Sequence, residues 1–216
     1  SLPAMEFNGA CVEPLDLNGD GHSDLFVGTH SVPYSYGLSP DSRVLINDGK
    51  GQFTDKTEEF LPGAFGLGMV TDAVWLEESR TLVVAGKWMP ITLFNFSGEV
   101  TKTELPNTSG WWNTLHVNDF DQDGDLDLVL GNFGNNNPYQ PTQEHPARLV
   151  YKDFDNNGSI DPIFTYYLHN EEVFAYSRDE LIGQIASLKK KFPDYASFAK
   201  ASPKDFFTEE DRKNTD

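Results

Sequence analysis

Short apolar runs separated by turn-forming residues dominate the first 176 positions of the chain. The runs are rich in β-branched and aromatic residues and are bounded by Gly, Asp, Asn, Ser and Pro, which is the pattern of β-strands joined by tight connections. They lie at residues 25–29, 43–47, 72–76, 81–86, 91–96, 111–117, 128–131, 147–151 and 163–167. Asp48 and Gly49 stand between two such runs and give a hairpin signal. The pattern predicts an all-β fold of short antiparallel strands.

One acidic nine-residue pattern, D-x-[DN]-x-[DN]-G-x-x-D, precedes three of these strands. It occupies residues 16–24, 119–127 and 153–161, called loops 1, 2 and 3 below. Side-chain oxygens at positions 1, 3, 5 and 9, with a backbone carbonyl at position 7, can surround one hard cation such as Ca²⁺. The glycine at position 6 permits the sharp turn that such a loop needs.

The predicted calcium ligands follow from these positions. Loop 3 has Asn157 where the other two loops have a carboxylate, so we expect it to bind the ion more weakly and predict two or three Ca²⁺ sites in all. The ligand set is Asp16, Asn18, Asp20, His22 and Asp24; Asp119, Asp121, Asp123, Asp125 and Asp127; and Asp153, Asp155, Asn157, Ser159 and Asp161.

Two other interpretations of the acidic pattern compete with a calcium loop of this kind. An EF-hand needs a bidentate Glu at position 12 and flanking helices, but position 12 is Val27, Leu130 or Phe164, within a strand-like run. A plain acidic turn without metal is the second alternative, because Asp, Asn and Gly form turns in any case. Three copies with glycine at the same offset favour a metal site over that alternative.

The acidic loops belong to a larger repeat. Four units are predicted, at residues 11–70, 71–110, 111–146 and 147–176, each with several short strands. In the second unit the short segment from Glu77 to Arg80 replaces the acidic loop, so we predict no metal there. Repeats of this length with about four strands each are typical of β-propeller blades.

The chain changes character at its end, where residues 177–216 follow a helical period. Ser177 and Glu180 match a capping box, and Pro193 ends the helix that they begin. Two shorter helices are expected after the cap residues Asp194 and Ser202. We predict a helical appendage, or an insert between blades. The apolar positions at helical spacing are Leu181, Ile182, Ile185, Leu188 and Phe192.

The amino-acid composition limits which binding partners and which cellular compartment can be expected. The chain has 34 acidic and 16 basic residues and a formal charge of −18, which opposes binding to nucleic acid or to an anionic membrane surface. No apolar run is long enough for a membrane-spanning helix, so no membrane insertion is expected. Cys11 is the single cysteine, which excludes an intrachain disulfide. Calcium loops fill readily where calcium is millimolar, so we expect an extracellular, cell-surface or periplasmic protein.

The acidic pattern followed by L-x-V-G resembles the FG-GAP/VCBS repeat of integrin α-chain propellers. It is most similar to bacterial VCBS-repeat proteins of the ASPIC/UnbV-associated group. The resemblance implies a seven-bladed β-propeller with calcium between the first and second strands of its blades. About four units are too few to close such a ring, so we expect a fragment of a longer propeller, or open blade edges covered by self-association. The stretches that carry the resemblance are residues 24–28, 68–75, 86–90, 109–113, 153–162 and 177–181.

The function expected from these features is that of an adhesion module, whose blade loops bind a glycan or a protein at the cell surface. Aromatic and amide side chains on the predicted loops can stack on a sugar or a peptide and hydrogen-bond to it. For Trp111 and Trp112, burial between blades is the alternative role. The candidate contact residues are Tyr34, Tyr36, Trp88, Trp111, Trp112, Asn135, Asn136 and Tyr139.

Two further function classes stay open. A polysaccharide hydrolase, or an accessory domain of one, could use paired carboxylates, but here these carboxylates sit in predicted metal loops. The histidines are scattered, and none lies in a recognised nucleophile motif. A structural scaffold within a larger surface protein is the other class. No catalytic residue is predicted.

Overall fold

The computed structural model describes residues 1–211. Strands make up 38% of the chain and helices 12%, in three antiparallel sheets, and no sheet in the described residues closes into a barrel. The prediction of a mainly β protein is confirmed. The chain divides into two compact units, which are described separately. Unit 1 comprises Ser1–Pro33 and Ser39–Phe133, and unit 2 comprises Tyr34–Leu38 and the chain from Gly134 onward.

The first sheet of unit 1 is a four-stranded meander. Its Asp48–Gly51 turn supplies the predicted hairpin between the third and fourth strands: Asp48 N–H donates to the Gln52 carbonyl oxygen at 3.1 Å. A short helix, α1 (Thr57–Phe60), and a 3-10 turn, Pro62–Ala64, follow the sheet. The strands, in both chain and sheet order, are β1 (Asn8–Leu15), β2 (Asp24–Ser31), β3 (Arg43–Asn47) and β4 (Phe53–Asp55).

The second sheet of unit 1 contains a second meander and one additional hairpin. The additional hairpin joins through a short pairing of Lys87 with Trp111 and of Met89 with Gly110, at a register shift. The order of the main path is β10-β9-β6-β7-β8, and β5 pairs with the other edge of β6. The strands are β5 (Met69–Leu76), β6 (Thr81–Met89), β7 (Thr92–Asn95), β8 (Thr101–Glu104), β9 (Gly110–Asn118) and β10 (Asp127–Asn132).

Strands β1, β5 and β9, the first strand of each hairpin, lie beside one another in unit 1. A carboxylate on each of the first two accepts a backbone hydrogen bond from the next. Glu13 Oε1 accepts from Trp75 N–H at 2.8 Å, and Asp72 Oδ2 accepts from Leu115 N–H at 2.8 Å. Fully buried side chains such as Phe26 and Phe94 fill the core of the unit. Burial of this apolar surface is the main force that holds the meanders together.

Unit 2 contains a three-stranded antiparallel sheet followed by short helices. Ser177 forms the predicted capping box with Glu180. The predicted helix from there to Pro193 is two helices with a break at Ile185, whose backbone is no longer helical. Gly183 in the last turn of the first helix lowers its stability. The elements are β11 (Arg148–Lys152), β12 (Asp161–Leu168), β13 (Glu171–Phe174), α2 (Arg178–Gln184), α3 (Leu188–Lys191), α4 (Tyr195–Phe198) and α5 (Pro203–Phe206).

The four predicted repeat units can be set against these strands. The meander β1–β4 spans residues 8–55 and the meander β5–β8 spans residues 69–104, so each begins slightly before the predicted unit 11–70 or 71–110. The hairpin β9–β10 begins at residue 110, just before the unit 111–146, and the three-stranded sheet lies within residues 147–176. The blade boundaries and the seven-bladed ring stay predictions. Within the predicted helical segment 177–216, residues 212–216 lie outside the described part of the chain.

Candidate metal centres

Each acidic loop connects the first two strands of an antiparallel hairpin. Loop 1 joins β1 to β2, loop 2 joins β9 to β10, and loop 3 joins β11 to β12. Position 9 opens the second strand in every case, as Asp24, Asp127 and Asp161. The residues at position 12 lie inside β2, β10 and β12, so no helix follows the loop as it would in an EF-hand.

The position 1 carboxylate organises the turn of each loop. Its Oδ1 accepts from the N–H of position 5, at 3.1, 3.2 and 3.0 Å in loops 1, 2 and 3. Its Oδ2 accepts from the N–H of the position 6 glycine, at 2.9, 3.1 and 2.8 Å. The loop backbone is therefore wound around one carboxylate in the same way three times.

The position 9 carboxylate closes each loop. Its Oδ2 accepts from the N–H of position 2, at 3.1, 2.9 and 3.0 Å in the three loops. The position 5 side chain accepts from the N–H of position 7, at 2.8, 3.1 and 2.8 Å. These bonds hold the ends of the loop together and bring the acidic side chains to one side of the turn.

Two positions in each loop have left-handed backbone. The position 6 glycines have φ of 82°, 98° and 86°, which explains the fixed glycine. Position 4 is also left-handed, at 75°, 64° and 58°, but it is occupied by Gly19, Gln122 and Asn156. The sequence pattern left position 4 open, and the structure shows that its conformation is nonetheless the same in all three loops.

Carboxylate oxygens converge in loops 2 and 3. One oxygen each of Asp119, Asp121 and Asp127 lie within 4.8 Å of one another. The equivalent oxygens of loop 3, from Asp153, Asp155 and Asp161, do the same. In loop 1 the third position is Asn18, whose amide nitrogen donates to Asp20 Oδ2 at 2.9 Å, and its amide oxygen stands where the other loops have a carboxylate.

The carboxylates of loop 3 lie close enough to affect one another electrostatically. Asp155 Oδ1 is buried and has no hydrogen-bond partner among the described residues. Burial raises the pKa of Asp161, and the nearby carboxylates of Asp155 and Asp153 raise it further. At an effective dielectric constant near 20, two like charges 4.8 Å apart repel by about 3 kcal/mol, and a cation between them would relieve this repulsion.

The donor set suits a hard cation. The converging atoms of loops 2 and 3 are carboxylate oxygens, without sulfur or imidazole donors. Hydrogen bonds from backbone N–H lower the pKa of Asp123 in loop 2 and of Asp20 in loop 1, which keeps both side chains ionised and able to bind a cation. Asp125 and Ser159 at position 7 are exposed, as is His22, and each can present a backbone carbonyl.

The predicted ligand-contact residues fall in both units. In unit 1, Trp88 and Trp111 meet edge to face with ring centroids 4.9 Å apart. Trp112 donates from Nε1 to the Thr108 carbonyl at 2.7 Å and packs against the buried cluster that includes Leu115, in keeping with the core alternative.

The contact candidates of unit 2 differ in exposure. Tyr34 is fully exposed and has a left-handed φ of 61°, whereas Tyr36 is partly exposed. Tyr139 lies edge to face with Phe164 at 4.6 Å, so its ring is part of the packing in this unit. Asn135 and Asn136 are exposed.

One residue that the sequence pattern did not identify, Arg80, stabilises the β5–β6 hairpin, which has no acidic loop. Arg80 Nη2 donates to the Leu17 carbonyl of loop 1 at 2.8 Å, and its guanidinium lies over the Trp75 ring at 5.7 Å. These contacts join positions far apart in the chain, and no local pattern signals them. The one available signal was the arginine itself, placed in a turn where the other units have acidic residues.

Cys11 carries no sign of reactivity. Burial raises the pKa of its thiol to about 12, with a further contribution from the nearby carboxylate of Asp72. The thiol is therefore protonated at neutral pH, and the thiolate is the nucleophilic form.

Comparisons of the chain with family models, curated proteins and solved structures found no match. Within residues 1–211, no helix is both long enough and apolar enough to cross a membrane.

Proposed function

We propose that this chain is a calcium-stabilised binding module of the FG-GAP/VCBS type, in which loops 1 to 3 hold Ca²⁺ and stiffen β-propeller blades. The observation that carries the proposal is the repeated hydrogen-bonded scaffold of the three loops, together with the unpartnered buried oxygen of Asp155. A bound cation supplies that oxygen with the partner it lacks.

Calcium is the cation that these loops suit best. It accepts six to eight oxygens at about 2.3–2.6 Å in flexible geometry, whereas Mg²⁺ demands a near-ideal octahedron and keeps several waters. Positions 1, 3, 5, 7 and 9 offer side-chain and carbonyl oxygens from one short loop, and water can complete the shell. Each ion neutralises part of a like-charged cluster, so its binding energy adds to the stability of the fold.

The arrangement of strands supports the propeller part of the proposal. First strands β1, β5 and β9 lie side by side, and β1–β4 and β5–β8 are four-stranded meanders, as in propeller blades. The acidic loops connect first and second strands, which is the place that the FG-GAP/VCBS resemblance implies. Open edges of the sheets are candidates for self-association.

The charge of the chain supports the proposed setting. Three bound Ca²⁺ ions would change the formal charge from −18 to −12, since three ions carry six positive charges. The surface stays acidic, which disfavours nucleic acid as a partner. We propose an extracellular, cell-surface or periplasmic location, where millimolar calcium keeps such loops filled, and a glycan or a protein as the ligand.

The first experiment is a calcium titration by calorimetry, paired with thermal melts in about 1 mM Ca²⁺, in about 1 mM Mg²⁺ and in chelator. We expect two or three binding events and a calcium-specific rise of Tm. At a free concentration of 100 times Kd, one site adds about 2.7 kcal/mol, and each kcal/mol raises Tm by roughly 2–4 °C for a chain of this size. Calorimetry without binding heat, and melts that coincide in all three buffers, would refute the proposal.

Asp48→Asn is the matched control for substitutions of the carboxylates in loops 1 to 3. Asp48 is an exposed aspartate in a turn, and its Oδ1 accepts from the N–H groups of Lys50 at 2.8 Å and Gln52 at 3.1 Å. It therefore shares the turn chemistry of the loops but lies outside them. The calcium-dependent rise of Tm should be the same with and without this substitution.

A further inference from the structure

We infer that loop 3 is a calcium-dependent latch for the C-terminal helical segment, here residues 195–211 with helices α4 and α5. The inference rests on the proposed calcium binding and extends it from stabilisation of the sheet to control of a second part of unit 2. It is carried by contacts that loop 3 makes within unit 2.

The three loops differ in what their second residue contacts. In loop 1 this residue is Leu17, 4% exposed and part of the core of unit 1. In loop 2 it is Phe120, 49% exposed. In loop 3 it is Phe154, whose ring lies 5.3 Å from that of Phe206 and 5.7 Å from that of Phe207. The helical segment thus packs on the second residue of loop 3.

The position of Phe154 depends on the acidic cluster around it. Its backbone N–H donates to Asp161 Oδ2 at 3.0 Å, and its chain neighbours Asp153 and Asp155 contribute the other two converging carboxylates. Without a cation, like charges and the unpartnered Asp155 oxygen favour opening of this cluster. Opening the cluster moves Phe154 and removes the surface on which Phe206 packs.

A second contact lies directly before loop 3. Lys152 Nζ forms an ion pair with Asp211 Oδ1 at 2.7 Å. The other oxygen of Asp211 accepts from the N–H and Oγ1 of Thr208, at 2.8 and 2.7 Å, so the turn after α5 ends on the strand that leads into the loop. Lys152 and Phe154 flank Asp153, the first residue of loop 3, so both contacts with the helical segment depend on the position of that residue.

The helical segment depends on contacts with the rest of unit 2 for its stability. Helices α4 and α5 have four residues each, and helices this short are not stable alone in water. Phe174 on β13 stacks on Phe198 at 5.9 Å and meets Phe206 at 6.0 Å. The segment is held by side-chain contacts to the sheet and to loop 3, so loss of one contact region lowers protection over its whole length.

The test is hydrogen–deuterium exchange of the intact chain in calcium, in magnesium and in chelator, followed over residues 195–211. Calcium should slow exchange in this segment by roughly tenfold or more, while magnesium should not. Asp155→Ala should abolish this effect, and Asp121→Ala, the equivalent change in loop 2, should leave it intact. Calcium-dependent protection that persists in Asp155→Ala would overturn the latch, as would equal protection in all three buffers.

A reciprocal measurement separates the latch from a simple loss of folding. Because coupling between two events is mutual, Phe206→Ala should weaken calcium binding at loop 3, by roughly fivefold or more, and leave loops 1 and 2 unchanged. Phe198→Ala is the matched control, since this ring contacts Phe174 and Phe192 and not Phe154. Equal loop 3 affinities in the two variants would count against the latch.

Calorimetry on the same samples distinguishes the two proposals. If wild-type chain binds no calcium at loop 3, the proposed function fails there and the latch fails with it. If loop 3 binds calcium with unchanged exchange in residues 195–211, the latch alone fails.

Discussion

Two kinds of connection join the first and second strands of the hairpins in this protein. Strands β5 and β6 are linked by a short turn from Glu77 to Arg80, and Arg80 supplies a cation that donates to the Leu17 carbonyl and lies over Trp75. The three acidic loops are longer and carry converging or hydrogen-bonded carboxylates instead. One connection carries its positive charge on an arginine of the chain, whereas the proposed function has the other three take it from a bound cation.

The difference separates two sources of stability. An arginine contributes at any calcium concentration, whereas a loop of carboxylates contributes only when an ion is present and opposes folding when it is absent. If the proposed function is right, a chelator destabilises the hairpins with acidic loops and leaves the contribution of Arg80 unchanged. The predictions that follow test this contrast, and they are ordered by the size of the expected effect.

The largest effect should come from Asp121→Ala in loop 2. This side chain is one of the three that converge there, and its Oδ1 also accepts from Asp123 N–H at 3.2 Å. In calcium the variant should lose roughly one site, about 2.7 kcal/mol at saturating ion. In chelator the loss should be limited to one exposed hydrogen bond, about 1 kcal/mol or less. Chemical unfolding in both buffers measures the two losses, and equal losses would contradict a role in metal binding.

Arg80→Ala should destabilise the chain to the same extent with and without calcium. The substitution removes a charged hydrogen bond to the Leu17 carbonyl and the contact over Trp75, which together contribute about 1.5–3 kcal/mol. Arg80→Lys should restore part of this stability, because the ammonium keeps the charge without the planar fork. Unfolding curves that change only in calcium would show that Arg80 acts through loop 1.

Gly158→Ala should cost about 1–2 kcal/mol in both buffers, because φ is 86° at position 6 of loop 3 and an added Cβ would meet no other atom there. The penalty is then one of backbone conformation alone. Gly19→Asn is the control, since position 4 of loop 3 is Asn156 with a similar φ. Denaturant midpoints should fall for the first variant and stay near the wild-type value for the second.

The smallest effect, within about 1 kcal/mol, is expected for Glu13→Gln. Burial raises the pKa of Glu13, against the hydrogen bond that it accepts from Trp75 N–H. A carboxyl with a raised pKa in the folded state contributes fully below its unfolded pKa, and this contribution is lost as pH rises through the folded pKa. Relative to wild type, the Gln variant should therefore gain stability from pH 4 towards neutrality in calcium buffer. A difference that stays flat with pH would contradict the raised pKa.

How far the sequence led can be judged from particular residues. The strands at 43–47 and 81–86, the turn at Asp48 and the cap at Ser177 follow from local patterns, because turn and strand preferences act over a few residues. The break at Ile185 was not predicted, because its apolar spacing continues the helical period. Contacts such as Arg80 with Leu17 join distant parts of the chain, so no local preference encodes them.

In the acidic loops too, local sequence predicts some features, whereas others depend on contacts with distant residues. The acidic pattern located the candidate ligands, and the structure places carboxylates of loops 2 and 3 within reach of one ion. It could not indicate that Asn18 would pair with Asp20, nor that the ring of Phe154 would pack against that of Phe206. Those outcomes depend on which surfaces the tertiary fold brings to each loop.

The carboxylates between first strands have a consequence for a chain that emerges from the ribosome from its N-terminus. Glu13 on β1 accepts a hydrogen bond from Trp75, and Asp72 on β5 accepts one from Leu115. In each pair the donor strand is synthesised after the acidic residue. Until that strand arrives, the open flank of the nascent sheet carries a hydrated negative charge. Edge charges of this kind discourage pairing with other chains. We therefore expect the same two residues to disfavour aggregation of the growing protein before they form hydrogen bonds between the finished strands.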